Sequence, residues 1–219
     1  MTAARAGRTR DAIVDAALEL FRENGFERTT MRAIADRAGV SVGNAYYYFS
    51  SKDELVQGFY DQLVADHRAL ALPAIAGSTA FADRLARTEH AWITAAEPYR
   101  DFAGRFFAVA AQPGNPLSPF SDHSSPAREA AVTLYREVLT HSSARPERAV
   151  AEALPELLWL YHLGIVLYWV HDSSPGCRKT YLLVERTVPL VKRMVSMSRL
   201  PGFRSVTRDL VGVIRDVRA

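Results

Sequence analysis

The stretch SVGNAYYYFSSK, residues 41–52, holds the side chains of this chain that are best suited to bind another molecule. It places a glycine, three consecutive tyrosines and a lysine within one short segment. A tyrosine hydroxyl can hydrogen-bond to a phosphate group while its ring packs on a sugar or on a thymine methyl group. A lysine at a helix start adds a charge that favours the same anion. These residue types indicate binding to a phosphate backbone, and half-buried packing of the tyrosines is the alternative.

Helical periodicity predicts the elements that would support this stretch. A first helix is predicted from apolar residues that repeat with the spacing of one helix face, namely Ile13, Ala16, Ala17, Leu20 and Phe21. Gly25 is the expected left-handed residue that ends it. A second helix should begin after a cap at Thr29 and end at Gly39. The residues that it should bury are Met31, Ile34, Ala35 and Ala38.

The tyrosine-rich stretch itself is predicted to form a third short helix after a cap at Ser41. Two of its residues, Ala45 and Phe49, would point into the core. The opposite face would carry Val42, Gly43, Tyr46 and Tyr47. The glycine removes a side chain where the helix approaches another molecule, despite a cost of about 1 kcal/mol in helix propensity. Two short helices around a glycine turn are typical of a helix-turn-helix.

The segment TTMRAIADRAGVSVGNAYYYFSSKDEL closely resembles the DNA-binding segment of the TetR/AcrR family of bacterial regulators. The positions that match the family pattern are Thr30, Ile34, Ala35, Ala38, Gly39, Val40, Ser41, Gly43, Tyr46, Phe49, Ser51, Lys52 and Leu55. The resemblance covers roughly residues 8–56. It implies an all-α protein with an N-terminal three-helix helix-turn-helix DNA-binding domain, residues 1–50. A larger C-terminal helical ligand-binding and dimerisation domain, residues 51–219, would follow.

The same resemblance implies which residues meet DNA. They are Thr29, Thr30, Arg32, Ser41, Val42, Gly43, Asn44, Tyr46, Tyr47, Tyr48 and Lys52. Thr30, Tyr47 and Lys52 would contact the phosphate backbone. Arg32 and the outer face of the third helix would meet base edges or the adjacent sugars.

Some details of this contact are left open by the sequence. Ala45 stands where the family usually has leucine, and Tyr48 where it frequently has histidine, so a phosphate contact by Tyr48 is in doubt. An acid-free arm with Arg5, Arg8 and Arg10 precedes the first helix. That arm could reach the DNA backbone or minor groove, although a disordered, solvated tail explains it as well.

The remaining sequence predicts further helices. Residues 50–55, SSKDEL, open a long fourth helix with Ser51 and Glu54 as a capping box. More helices are expected near 80–96, 98–111, 126–141, 147–171, 178–198 and 204–217. Pro155 and Pro189 should kink or begin their helices. The segment QPGNPLSPFSDHSSP is rich in proline, serine and glycine, which predicts the most mobile loop of the chain.

Two sites are expected in the larger domain. The residues predicted to line a ligand pocket between the fourth helix and the helix near 147–171 are Trp92, Phe102, Arg105, Phe106, Trp159 and His162. Arg105 and His162 would orient the ligand, and plain core packing is the alternative for the aromatic residues. The residues predicted for a dimer interface are Leu157, Tyr161, Gly164, Tyr168, Leu183 and Val191. The resemblance implies that their helices form a four-helix bundle with a second copy.

Composition and motifs limit the other functions. The net charge is only +3, and residues 1–54 hold eight basic and eight acidic side chains, so bulk charge does not argue for nucleic acid. The single cysteine, Cys177, allows no internal disulfide and fits a reducing cytosol. The apolar run at 157–170 is too short to span a membrane. Because no catalytic, metal or cofactor motif is found, we expect no cofactor, no metal and no enzyme activity.

The expected function is that of a ligand-responsive transcriptional regulator in the cytoplasm. It would act as a repressor that binds an inverted-repeat operator in double-stranded DNA as a homodimer. An unknown small and largely apolar effector would release it. The alternative is a helical-bundle adaptor or enzyme without DNA binding, which explains the helices but not the pattern from Thr30 to Lys52.

Overall fold

The computed structural model describes residues 3–100, 103, 104, 107, 110, 114–200 and 202. The α-helices with described bounds are α1 Ala3–Asn24, α2 Met31–Arg37, α3 Val42–Tyr48, α4 Lys52–Ala76, α5 Phe81–Ala96, α6 Ser125–Thr140, α7 Arg148–His171 and α8 Arg178–Met197. Short 3-10 helices cover Glu97–Tyr99 and Pro175–Cys177. The described residues contain no strand, which confirms the all-α fold class. Half of the residues of the helix predicted near 98–111 lie outside these residues, and the helix near 204–217 lies entirely outside them.

The chain divides into two compact units. Unit 1 comprises Met1–Ala65 and Ala96–Arg128, and unit 2 comprises Asp66–Ala95 and Glu129–Ala219. Helix α4 contributes residues to both units. The boundary at residue 50 that the sequence suggests separates two functions, and it stays a prediction.

The core of unit 1 forms around the apolar face of α1. The residues predicted for that face are all buried, namely Ile13, Ala16, Ala17, Leu20 and Phe21. Gly25 follows α1 with a φ of 82°, a left-handed conformation that glycine adopts at low cost. Against this face α2 buries Met31, Ile34 and Ala35, while Ala38 is only partly buried. Helical periodicity therefore predicted the core correctly except at the end of α2.

The turn between α2 and α3 is a Schellman motif. Gly39, with a φ of 67°, donates its N–H to the Asp36 carbonyl at 3.2 Å. Val40 donates to the Ala35 carbonyl at 3.0 Å. These two bonds satisfy carbonyl groups that the helix end would otherwise leave unpaired. The turn fixes the direction in which α3 leaves α2.

The cap of α2 is Thr30 and not Thr29, which corrects the sequence-based prediction. The Thr30 hydroxyl accepts the Ala33 N–H at 3.2 Å. Thr29 is buried, and its hydroxyl donates to the Gly25 carbonyl at 2.8 Å, with the Leu20 carbonyl at 3.1 Å. Both adjacent threonines fit the capping pattern, so the sequence alone did not show which of them caps α2.

The start of α4 departs in one bond from the predicted capping box. Ser51 accepts the Glu54 N–H with its hydroxyl at 3.2 Å, as expected. The Glu54 carboxylate, however, accepts the N–H of Ser50 at 2.5 Å and its hydroxyl at 2.7 Å. These hydrogen bonds from Ser50 hold the pKa of Glu54 below its ordinary value.

The loop predicted to be the most mobile is packed against α4 in its described part, residues 114–124. The Tyr60 hydroxyl donates to the Leu117 carbonyl at 2.8 Å, and the side-chain amide of Gln57 donates to the Pro116 carbonyl at 3.2 Å. Leu117 is buried in the core of unit 1. Composition alone predicted mobility, but these contacts make a fixed loop the better description of this part.

In unit 2, a buried arginine joins the ends of two helices. Arg84 donates to the carbonyl oxygens of Ile75 at 2.7 Å and Ser78 at 2.9 Å, at the end of α4. It also donates to those of Glu137 at 2.7 Å and Val138 at 3.0 Å, near the end of α6. Helix C-termini carry partial negative charge, which compensates a buried guanidinium. Nothing in the sequence pattern indicated this role.

Helix α7 contains the apolar run that the sequence analysis considered as a possible membrane span. Its 24 residues, Arg148–His171, make it long and apolar enough to cross a membrane by length and composition. The apolar run at 157–170 is only part of this helix, which begins at Arg148. A core helix of a folded protein passes the same test, and eight residues of α7 are buried, among them Trp159, His162 and Trp169. We therefore treat α7 as a core helix of unit 2.

Two predicted prolines lie within helices and begin neither of them. Pro155 is inside α7 and Pro189 is inside α8. A third proline, Pro73, is inside α4. A proline has no backbone N–H, so each of these helices lacks one hydrogen-bond donor at that position.

Candidate nucleic-acid interface and effector site

Helix α3 separates a buried face from an exposed one, as its sequence predicts. Ala45 and Phe49 are buried in the core of unit 1. Tyr46 and Tyr47 lie on the other side and are 51% and 80% exposed. The hydroxyl of Ser41 caps the helix by accepting the backbone N–H of the third helical residue at 3.1 Å. Two large aromatic side chains are thus presented to the surroundings by a helix that is anchored underneath.

Nothing in the described part of the fold requires a glycine at position 43. Outside its own turn of helix, a Cβ built on it would meet no atom of the described residues within 4 Å, and its φ is not in the left-handed range. Glycine inside a helix costs about 1 kcal/mol relative to alanine. The space above Gly43 is therefore kept open at a cost in stability, which indicates close approach by another molecule.

Tyr48 differs from its two neighbours. Its ring packs partly against the core of unit 1 and meets the Tyr47 ring edge-on, with centroids 5.2 Å apart. Its hydroxyl is buried and has no hydrogen-bond partner among the described residues. This placement does not favour the phosphate contact that the resemblance suggested for this position, because the hydroxyl points away from solvent.

Lys52 is used within the chain. Its ammonium group donates to the Phe26 carbonyl at 2.6 Å and to the Glu27 carbonyl at 3.3 Å. It also lies 4.5 Å from the centre of the Phe26 ring, a cation–π contact. Lys52 therefore ties the start of α4 to the turn between α1 and α2, and a phosphate contact by its remaining proton stays a prediction.

The predicted arginine arm is part of helix α1. The helix begins at Ala3, so Arg8 and Arg10 lie within it, and the side chain of Arg5 is outside the described residues. The Arg10 guanidinium sits 5.2 Å from the centre of the Phe49 ring and 3.6 Å from the Asp61 carboxylate. Arg10 is thus a packing residue, and the expectation of a free arm was wrong at this position.

The other side chains predicted to meet DNA differ in exposure. Those that are exposed are Thr30, Arg32, Ser41 and Gly43, together with the two exposed tyrosines of α3. Val42, Asn44, Tyr48 and Lys52 are partly buried, and Thr29 is buried. Because the hydroxyl of Thr29 is already used inside unit 1, we remove that residue from the set of DNA contacts.

An ion-pair network that the sequence did not reveal holds α2 against α1. Arg37 contacts the carboxylates of Glu19 at 3.0 Å and Glu23 at 2.8 Å. The hydrogen bond from Arg37 holds the pKa of Glu23 below its ordinary value. This network neutralises acidic groups of α1 and keeps α2 in place behind α3.

Three of the six residues predicted to line the ligand pocket are among the described residues. Trp92, Trp159 and His162 are buried in unit 2. The other three, Phe102, Arg105 and Phe106, lie outside the described residues. Trp92 meets the His162 ring edge-on, with centroids 5.0 Å apart.

A buried polar cluster, defined here as His67, Glu89, Tyr135 and His162, lies next to Trp92. The Glu89 carboxylate accepts the Tyr135 hydroxyl at 2.8 Å with one oxygen and the His162 Nδ1–H at 2.8 Å with the other. All four residues are buried, and Glu89 is 0% exposed. Burial, followed by the charge of Glu89, raises the pKa of Tyr135 well above its ordinary value.

His67 completes the polar cluster from α4. Its Nε2–H donates to the Thr88 carbonyl at 2.9 Å, and its ring stacks on the His162 ring with centroids 5.8 Å apart and planes at 17°. Burial and the neighbouring His162 lower the pKa of His67 to about 4. His67 is therefore neutral at neutral pH.

Sequence reasoning named His162 but missed the other three members of the polar cluster. One signal could have found Glu89. It lies four residues after Leu85 and four before Ile93, both buried, so it falls on the apolar face of α5. A carboxylate at such a position must be buried and paired.

The residues predicted for a dimer interface are mostly half-buried. Leu157, Tyr161, Leu183 and Val191 are partly buried, whereas Gly164 and Tyr168 are exposed. Tyr161 bonds within its own chain, since its hydroxyl lies 2.7 Å from that of Thr187. The larger exposed apolar side chains of α7 and α8 were missed, namely Leu160, Leu167, Leu182, Leu190 and Met194. These residues make an apolar surface on the last two described helices.

Metal ligands are not grouped in the part of the chain that the structure describes. No set of three or more histidine, cysteine, aspartate or glutamate residues is placed there to hold a metal ion. Cys177 is buried and precedes α8 in a left-handed conformation, with a φ of 54°.

Similarity to known proteins agrees with this geometry. Residues 13–58 match the family described as bacterial regulatory proteins, tetR family. Residues 84–210 match the family described as tetracyclin repressor-like, C-terminal domain. The HTH-type transcriptional repressor KstR2 of Rhodococcus jostii (strain RHA1) is 41% identical over 73 residues, or 32% of this chain and 35% of that protein. The match thus spans about a third of the length of that curated relative.

Solved structures share the fold at low identity. A putative TetR-family regulator from Syntrophomonas wolfei superposes with a TM-score of 0.68 at 14% identity, covering 85% of this chain and 95% of that chain. FadR from Bacillus subtilis, in complex with stearoyl-CoA, gives a TM-score of 0.65 at 18% identity over 81% of this chain and 96% of that chain. The family matches cover both the helix-turn-helix and most of the chain beyond it. The chain therefore belongs to the TetR family of bacterial regulatory proteins, and it is a transcriptional regulator with a DNA-binding helix-turn-helix rather than an enzyme.

Proposed function

We propose that this regulator is a cytoplasmic repressor that binds an inverted-repeat operator as a homodimer and is released by a small, largely apolar effector. The observation that carries the DNA-binding part is the outer face of α3. Gly43 leaves this face open, and Tyr46 and Tyr47 project from it. A tyrosine ring and hydroxyl suit the sugar, phosphate and thymine methyl groups of a duplex groove.

We assign the phosphate contacts and the base contacts to different residues at the start of α2 and on α3. Thr30 and Tyr47 would bind the phosphate backbone, while Arg32 and Tyr46 would meet base edges or sugars. Thr30 and Arg32 are exposed at the start of α2, which supports this assignment. Val42 offers only apolar contact, so direct reading of the sequence would rest on few side chains.

Dimerisation is proposed because one short recognition helix provides too few contacts for specific binding. Regulators bind their operators with dissociation constants of roughly 10⁻⁸–10⁻¹¹ M, and two-fold symmetry places two recognition helices about one DNA turn apart. The exposed apolar side chains of α7 and α8 support an interface on these helices. Sedimentation at working concentrations measures this part directly, and a strict monomer would contradict it.

The effector is proposed to bind in unit 2, near Trp92 and His162. Both side chains are buried and they contact each other. Helix α4 carries His67 in unit 2 and also carries Leu55 and Phe59, which are buried in unit 1. A ligand that moves α4 would change the separation of the two recognition helices and so weaken operator binding.

The experiment that tests the proposed function starts from the protein itself. Genomic DNA fragments that the purified full chain retains are sequenced, and the retained site is mapped by footprinting. We expect a protected inverted repeat with half-sites about one helical turn apart. Fragments without any shared sequence would show nonspecific binding only and would contradict the proposal.

A further inference from the structure

The polar cluster of unit 2 holds two histidine nitrogens that the proposed function does not yet use. It joins four helices, since His67 belongs to α4, Glu89 to α5, Tyr135 to α6 and His162 to α7. Each of these side chains is at least nine-tenths buried. A buried set of this kind either stabilises the bundle or recognises a ligand, and its hydrogen bonds decide between the two.

The protons of the cluster can be assigned from its partners. The carbonyl of Thr88 only accepts, so the 2.9 Å contact places a proton on Nε2 of His67 and leaves Nδ1 as an acceptor. The Glu89 carboxylate also accepts, so the 2.8 Å contact places a proton on Nδ1 of His162. Nε2 is the remaining nitrogen of His162; it accepts a hydrogen bond when the ring is neutral and donates one when the ring is protonated.

Neither Nδ1 of His67 nor Nε2 of His162 has a hydrogen-bond partner among the residues that the structure describes. The contacts made by the ring nitrogens of His67 and His162 with described residues are those to Thr88 and Glu89. Buried acceptors without a donor cost free energy, and native structures supply one from the protein, from water or from a ligand. The cluster therefore calls for a molecule that donates hydrogen bonds.

The charge of Glu89 works against an anionic ligand. The Glu89 carboxylate is fully buried beside His162. Among the described residues, Arg84 is the one buried lysine or arginine, and its guanidinium already donates to four backbone carbonyls. Glu89 would thus repel a second carboxylate, and the described part of the chain offers no further buried cation to compensate it.

We propose that the effector of this regulator is a neutral, largely apolar molecule with a hydroxyl group, which forms a hydrogen bond with Nδ1 of His67 or Nε2 of His162. This inference rests on the proposed function, because it assumes that unit 2 is the effector site. It separates the chain from the FadR protein of similar fold, which was solved with stearoyl-CoA, a polyanionic ligand. Trp92, packed edge-on against His162, provides the apolar wall.

The test compares ligands that differ in one group. 4-Alkylphenols, 4-alkyltoluenes and 4-alkylbenzoates, with chains from propyl to nonyl, are titrated into the full chain and followed by tryptophan fluorescence. At the best chain length we expect the phenol to bind at least about tenfold more tightly than the toluene, the effect of one satisfied hydrogen bond. It should exceed the benzoate by more, and lauroyl-CoA should not bind.

Variants locate the effect in the cluster. His67→Phe and His162→Phe remove these ring nitrogens while keeping an aromatic ring, so at least one of them should lose the preference for phenol over toluene. His141→Phe is the matched control, because His141 is exposed and pairs with Glu137 at 3.8 Å, outside the cluster. Glu89→Gln removes the charge with little change of shape, and it should raise benzoate affinity at least about tenfold relative to phenol affinity.

Several results would overturn the inference. These are tighter binding of benzoate or lauroyl-CoA than of phenol, an unchanged preference in both histidine variants, or no binding in any series, which would mean that water alone satisfies the nitrogens. Operator binding is measured separately on the same samples. Loss of operator binding with the phenol preference intact would refute the proposed function, whereas operator binding with a benzoate preference would refute only this inference.

Discussion

The ring of Phe49 occupies the space that a Cβ at Gly58 would need. Such a Cβ would lie 2.8 Å from Cε1 of Phe49 and 3.2 Å from a guanidinium nitrogen of Arg10. Phe49 is the residue that follows α3, and Gly58 lies in α4. This close contact fixes the end of the recognition helix to the helix that continues into unit 2.

Gly58→Ala should therefore destabilise unit 1. The added methyl group must displace a buried aromatic ring, and overpacking of this kind costs about 1–3 kcal/mol. The gain in helix propensity, about 1 kcal/mol, offsets only part of that cost. Chemical denaturation of the full chain measures the change, and a variant more stable than the parent protein would show that Phe49 moves aside freely.

Gly43→Ala should have the opposite effect on stability and should impair DNA binding. Since its Cβ would meet no described residue beyond its own turn of helix, the substitution should stabilise the fold by up to about 1 kcal/mol. The methyl group would project into the proposed DNA contact, so affinity for the selected operator should fall at least about tenfold. Both quantities are measured on one preparation, and full operator affinity in the stabilised variant would show that nothing approaches α3 closely.

Arg84→Met should cost about 3 kcal/mol or more of folding free energy. The substitution leaves four carbonyl groups at the ends of α4 and α6 without their buried donors. Arg87→Met is the matched control, because Arg87 is exposed in the same helix and pairs with Asp83 at 2.9 Å. Its expected cost is below about 1 kcal/mol. Equal costs in the two variants would contradict a special role for Arg84.

Stability should fall as the pH drops from about 6.5 to about 4 through the titration of His67. The folded-state pKa lies below the ordinary value, so the unfolded chain binds one more proton in this window. The contribution is complete above the upper limit and decreases by about 1.4 kcal/mol per pH unit below it. The difference between the parent protein and His67→Phe isolates this effect from carboxylates such as Asp172. Parallel stability curves for the two proteins would contradict the assignment.

Local patterns predicted most of unit 1. The spacing of Ile13, Leu20 and Phe21 gave the buried face of α1, and Gly25 and Gly39 marked the helix ends through their left-handed conformations. These features depend on neighbours within a few residues, so the sequence contains them. The choice of cap was already ambiguous, since two adjacent threonines fit the same pattern.

Contacts between distant residues could not be predicted in this way. The bonds of Glu89 to Tyr135 and His162 join residues that are far apart along the chain, and Arg84 finds its carbonyl partners only when α4 and α6 end side by side. Lys52 is a further example of a distant contact that the sequence did not predict. Its position in a family motif indicated a contact with phosphate, whereas in the fold its ammonium group donates a hydrogen bond to the carbonyl of Phe26.

The central claim is that the outer face of α3 lies against DNA, and Tyr46→Ala tests it most directly. The dissociation constant for the selected operator fragment is measured at one fixed salt concentration, because salt alone changes such affinities strongly. We expect a loss of at least about tenfold, since one good contact contributes about 1–3 kcal/mol. Phe120→Ala, which removes another exposed aromatic side chain that does not belong to α3, should leave the affinity unchanged. Equal affinity of the parent protein, Tyr46→Ala and Phe120→Ala would contradict the account.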